Sequence, residues 1–197
     1  MPIARLMRQM LLVALASGAA LAVQAQSTIV IVRHAEKPPL GLGQLDCRGL
    51  NRALALPSVL LGRWGRPTAI YAPNPADLKD DKGVSYAYVR PLATIEPTAI
   101  RAGLPVQLGW GMTQVDALAN ELLAHPGRVQ LVAWEHHWAV ALARTLMQRA
   151  GGQPSQVPDW DDEDFDSIYV LQIGPAAGQA AFTREREGLN GLPESCP

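Results

Sequence analysis

The sequence predicts an α/β domain: a three-layer sandwich with a mostly parallel central sheet flanked by helices. Three observations carry this expectation. Short β-branched apolar runs recur at Ser27 to Val32, Thr68 to Ala72, Val129 to Trp134 and Ser167 to Ile173. Their near-continuous apolar character is what strands covered on both faces require. Between them lie segments with helical spacing, and a chain in which strands alternate with helices folds as layers around a sheet. Composition agrees, because 48% hydrophobic and 18% charged residues supply a core and exclude intrinsic disorder.

The elements follow in order. The STIVIV run is the first strand, and the segment Gly49 to Trp64 is the first helix, with Pro57 expected to kink or end it. Residues 73 to 89 (PNPADLKDDKGVSYAYV) lack an apolar period and read as a solvated polar insertion. A second helix is expected over Leu92 to Ala102, with Pro91 in its first turn, where a missing N–H costs nothing. A third runs from Met112 or Thr113 to Ala124, and a fourth from Trp138 to Ala150, stopped by Gly151-Gly152. Gln153 to Asp166 reads as a second polar loop ending in DWDDEDFD.

Residues 1 to 25 read as a secretory signal peptide. Arg5 and Arg8 precede an uncharged run, residues 10 to 23, and Val23-Gln24-Ala25 supplies small residues for cleavage after Ala25. That run is shorter than the roughly 18 to 20 residues a spanning helix needs. Residues 26 to 197 then form one domain, periplasmic or secreted, with no stable membrane anchor after cleavage. Loss of Arg5 and Arg8 leaves it with a formal charge of -3. No broad basic field exists, so nucleic acid is excluded as a partner. In an oxidising compartment Cys47 and Cys196 either pair or remain free thiols, and no CxxC or Cys/His cluster suggests zinc.

Chemistry concentrates where strands end. The first strand runs into Arg33-His34-Ala35-Glu36-Lys37, at the end of a parallel strand where ligands bind. An unprotonated imidazole attacks phosphorus, and a guanidinium fork holds phosphoryl oxygens. LDCRGLNRA (45–53), RPLATIEPTA (90–99) and VQLVAWEHH (129–137) follow in order. With these segments the chain resembles the histidine phosphatase superfamily, the phosphoglycerate-mutase-like fold, from about Thr28 to Gly151.

The resemblance implies that His34 is a nucleophile forming a phosphohistidine. Arg33, Arg90 and His136 complete the anion pocket, with His137 the competing assignment for the second histidine. Ala35 stands where the family has Gly. Lys37 and Glu135 are expected to touch substrate. Glu135, Glu36, Glu96, Asp161 and Asp162 all remain open as the general acid. The implied activity is a phosphatase acting on a small phosphorylated substrate or phosphorylated glycan, with no metal and no organic cofactor. A non-catalytic phosphate-binding protein of the same fold is the alternative.

Overall fold

A computed structural model describes residues 26–197. The expected signal peptide lies outside the described residues. Among the described residues, no helix is long and apolar enough to cross a membrane. Strand β1 (Ser27–Arg33) enters a six-stranded sheet ordered β5-β2-β6-β1-β7-β8, with β2 (Ala69–Tyr71), β5 (Val106–Gln107), β6 (Val129–Trp134), β7 (Ser167–Ile173) and β8 (Ala180–Arg186). The pairs β5-β2, β2-β6 and β6-β1 are parallel; β1-β7 and β7-β8 are antiparallel. The mostly parallel sheet expected from the sequence is therefore present, with an antiparallel margin on one side.

Both faces are covered. Ile29 and Ile31 pack with Leu118 and Leu122 of α3 (Val115–Leu123) and with Leu142 and Leu146 of α4 (His136–Arg149). Val30 and Val32 point the other way, onto Leu56 and Leu60 of α1 (Cys47–Trp64) and Ile95 and Ala99 of α2 (Arg90–Ala102). The period of two in β1 is thus what divides the core into two layers. Each side chain so buried contributes about 2 kcal/mol, which is why a strand apolar on both faces cannot sit at a surface.

Three expectations are corrected and one strand is added. Helix α1 does not end at Pro57, because Leu56 and Leu60 on either side of it remain buried and anchor both halves on the same sheet face. Helix α3 begins at Val115 rather than at Met112 or Thr113. The Gly111 amide donates to the Gln114 side chain at 2.8 Å, and a turn occupies the expected first residues. Residues 73 to 89 are not an unstructured insertion: β3 (Leu78–Asp81) and β4 (Val84–Ala87) pair as an antiparallel hairpin. Its two-residue turn, Lys82-Gly83, has φ of 58° and 84°, the positive values that hairpin turns of this length demand. Finally, Ala180–Arg186 is a strand, β8, on which exposed charges alternate along the sheet margin.

Cys47 and Cys196 form a disulfide across 149 residues of sequence. It fastens the C-terminal tail to the first turn of α1, where the Asn51 side-chain amide also donates to the Pro193 and Ser195 carbonyls at 3.0 and 2.8 Å. Deeper in the same region Arg52 is shared by three carboxylates. It lies 2.7 Å from Glu36, 2.6 Å from Glu187 and 3.6 Å from Asp166.

One cation for three acids leaves Glu187, the most buried of them, under-compensated. Burial, outweighing its bond to Arg52, pushes its carboxyl up to about 8. The folded state therefore keeps a proton that the unfolded chain releases above the ordinary glutamate value of 4.5. Stability from this proton is full at acid pH and is lost as pH rises through 8. In denaturant titrations from pH 5 to 8, the parent should lose stability relative to Glu187→Gln by up to about 1.4 kcal/mol per pH unit. Parallel curves for the two proteins would refute this assignment.

Candidate active site

The carboxyl ends of β1 and β6 lie side by side, and the site is built on them. Arg33 is in register with Trp134, and the His34 amide donates to the Trp134 carbonyl at 2.9 Å. His34 therefore faces the Glu135-His136 turn that opens α4. It is only 2% exposed, and its Nδ1 lies 2.8 Å from the Ala35 carbonyl oxygen. A carbonyl can only accept, so Nδ1 carries the proton and Nε2 keeps its lone pair. Burial, reinforced by the charges of Arg33 and Arg90, holds the imidazole well below its usual 6.5. The ring is neutral at physiological pH, with one nitrogen free to act.

Two guanidiniums flank it. Arg33 Nη1 donates to the carbonyls of Asp161, Asp162 and Asp164 at 3.2, 2.6 and 3.1 Å, and the guanidinium carbon lies 3.9 Å from the centre of the Phe165 ring. Arg90, fully buried at the start of α2, grips Asp81 with both terminal nitrogens, at 2.7 and 3.2 Å. The Nε of each arginine is buried without a hydrogen-bond partner in the protein, as is the Tyr88 hydroxyl. The Tyr88 ring meets the His34 ring edge-on at 6.0 Å.

The sequence motifs acquire physical reasons. Thr94, one turn after Arg90, donates to the Arg90 carbonyl at 2.8 Å and accepts the Ala35 amide at 2.9 Å, tying α2 to the loop that carries His34. Gly49 packs on the Glu36 backbone, where an added Cβ would approach the carbonyl oxygen to 2.3 Å. Asp46 caps α1 by accepting from the Gly49 amide at 2.7 Å. Ala35 is not among the residues with positive φ, so the backbone there makes no demand for glycine.

At the β6 turn, His136 is buried and His137 largely exposed. His136 Nε2 is 2.6 Å from Asp162 Oδ1, and its Nδ1 is 2.9 Å from Glu135 but out of line for a hydrogen bond. Glu135 caps α4 through the Trp138 amide. Burial alone would raise its carboxyl, yet the adjoining His136 and the Trp138 amide outweigh burial and hold it well below the usual range. Glu135, His136 and His137 offer ligand atoms within 4.8 Å of one another, the group in this region that could hold a metal ion.

Arg33, His34, Lys37, Arg90, Glu135 and His136 all line one cavity of about 1050 Å³. The expected site residues are thus brought together. Among the acids left open, Glu36 is occupied by Arg52, Glu96 is exposed on α2, and Asp161 does not line the cavity. Glu135 and Asp162 remain. Sequence reasoning missed Tyr88, Lys79, Asp81 and Glu163. The three that come from 79 to 88 were carried by the alternation across the Lys82-Gly83 turn, a hairpin signal hidden by polar side chains.

Three solved structures are similar to this chain over most of its length. One is named for the phosphohistidine phosphatase SixA of Nakamurella multipartitia, with 16% identity over 82% of this chain and 96% of that one and a TM-score of 0.53. A second is the phosphoserine phosphatase of Entamoeba histolytica in complex with 3-phosphoglyceric acid, with 12% identity, coverage of 80% and 95% and a TM-score of 0.52. A histidine-to-alanine variant of that phosphatase with phosphoserine covers 83% and 98% at 10% identity and a TM-score of 0.53. No family profile and no curated protein matches the chain. The chain has the fold of the histidine phosphatase superfamily, the phosphoglycerate-mutase-like fold.

Asp81 is the sole carboxylate bonded to the buried Arg90 among the described residues. Breaking a buried pair from one side leaves an uncompensated charge and costs about 3–5 kcal/mol, whereas replacing both partners by apolar groups is close to neutral. Asp81→Ala should therefore lose about 3–5 kcal/mol in urea unfolding, and Asp81→Leu combined with Arg90→Met should recover most of it. A single variant that loses under about 1 kcal/mol would show that the pair does not hold the hairpin.

Proposed function

We propose that this chain is an exported, metal-independent phosphatase that hydrolyses a phosphomonoester through a phosphohistidine at His34. The observation that carries the reading is the buried neutral imidazole with Nε2 free, set between two guanidiniums whose Nε–H groups have no protein acceptor. In the first step Nε2 bonds to phosphorus and the P–O ester bond breaks, the electron pair leaving on the alcohol oxygen, which takes up a proton from solvent water. In the second, a water oxygen attacks phosphorus and the P–N bond breaks. Inorganic phosphate leaves and His34 is regenerated.

Arg33 and Arg90 neutralise charge on the equatorial oxygens, donors fixed in advance by their own partners. His136 contributes from the other side, oriented by Asp162. Glu135 and Asp162, both held below the ordinary carboxylate range, are ionised at neutral pH and orient histidines rather than store a proton. Two features support export: the leader-like residues 1–25, and a cysteine pair arranged as the kind of disulfide that persists in oxidising compartments. Export in turn favours a phosphorylated sugar of the envelope as substrate.

The test is phosphate release by residues 26–197 from an aryl phosphate and a panel of sugar phosphates, in the presence of a chelator. His34→Ala should lose at least about a thousandfold, and acid-labile, base-stable phosphoprotein should be trapped from the parent alone. Because His34 is neutral down to well below 6.5, phosphorylation should show no acid-side decline through that value. Equal silence of parent and variant across the panel would overturn the catalytic reading in favour of phosphate binding.

A further inference from the structure

We propose that Lys79 and Lys37 form a second anion subsite in the His34 cavity, so that the substrate carries a second phosphate or carboxylate besides the phosphoryl group transferred. The inference rests on the phosphatase reading for the transferred group and adds the class of molecule that bears it.

The β3–β4 hairpin has an inner and an outer side. Leu78, Asp80, Ser85 and Ala87 are exposed, while Lys79 and Asp81 alternate with them and face inward. Asp81 goes to Arg90. Lys79, two residues away on the same side, puts its ammonium 5.8 Å from the centre of the Tyr88 ring, the ring that touches His34 on one edge and lies 4.8 Å from the Arg90 guanidinium carbon. Lys37 reaches the same cavity from the loop three residues past His34. Burial, then the charges of Arg90 and Arg33, pull its ammonium below the usual lysine value, as expected for a cation drawn toward two others.

The deciding observation is which charges of the cavity are already committed. Glu36 is bound by Arg52 and Asp81 by Arg90. Asp46 and Glu135 cap helices, and Asp162 holds His136. Asp80 accepts from the Gly83 amide, and Glu194 pairs with Arg48. Among the described residues, Glu163 is the cavity acid whose carboxylate has no partner. Against it stand Lys37, Lys79 and, at the hairpin tip, Lys82, none of which has an ion pair or hydrogen bond. The arginines are spoken for by the transferred group, yet among the unpaired charges of the cavity three lysines stand against one acid, and about 1050 Å³ accommodates more than a phosphoryl group. A lysine brought near low-dielectric walls without a counterion favours an anionic ligand.

Paired probes test this: 4-carboxyphenyl phosphate against phenyl phosphate, and fructose 1,6-bisphosphate against fructose 6-phosphate. The parent should favour the doubly anionic member of each pair in kcat/KM, and Lys79→Met or Lys37→Met should reduce that ratio about tenfold, chiefly through KM. The two pairs separate a carboxylate from a phosphate preference. A ratio near one in the parent, or a ratio unmoved in both variants, would overturn the subsite. Calorimetry on His34→Ala separates the subsite from the catalytic reading. Tighter binding of the doubly anionic probes, weakened by adding Lys79→Met, supports the subsite even if no probe is hydrolysed by the parent. Equal affinity within each pair refutes it whatever the turnover.

Discussion

A guanidinium cannot shed its charge by deprotonation, so every arginine this fold draws inward must be given acceptors there. Three are drawn inward, and each recruits a distant segment. Arg33 takes three carbonyls of the loop after α4, Arg52 takes carboxylates from β1's exit and from the segment after β8, and Arg90 takes Asp81 of the hairpin. The excursions from the sheet are thus tied to buried cations as well as to the apolar core, which they enter through Val157, Trp160 and Leu189. Replacing any of these acceptors leaves a charge that the interior cannot solvate.

That arrangement also sets the electrostatics around His34. Burial disfavours a positive charge on His34, and the two fixed cations beside it disfavour it further, so the imidazole is kept neutral. The Ala35 carbonyl then selects which nitrogen is available. Thr94 connects this loop to the helix that presents Arg90, so His34 and Arg90 are held to one frame through a single hydroxyl. The spacing of four between Arg90 and Thr94 is one helical turn, and this is its physical content.

The three layers were legible because each strand run is apolar on both faces and each helix is punctuated at its ends. The site was legible where its residues sit at strand ends: Arg33 and His34 after β1, Glu135 and His136 after β6. What could not be read were contacts made by polar residues across long separations. Arg52 and Glu187 are 135 positions apart, and nothing in either neighbourhood names the other. Asp81 and Lys79 were obscured differently, because a hairpin that packs on charged groups shows no apolar alternation. Pro57 misled for a tertiary reason: packing on both sides of it outweighs the lost backbone bond.

The tail joined to α1 has a consequence for the shape of the receptor. Asn190 and Glu194 stand on the rim of the cavity beside Cys47, so part of the wall that a ligand meets is made of C-terminal sequence held by the Cys47–Cys196 bond, by Arg48 and Arg52, and by Leu189 packed on the core. That stretch of rim is tied to the first turn of α1 by the disulfide, whereas the floor of the cavity is built on the ends of β1 and β6. Two segments of the chain 149 residues apart thus share one wall of the cavity, so a ligand there meets the first turn of α1 and the C-terminal tail together.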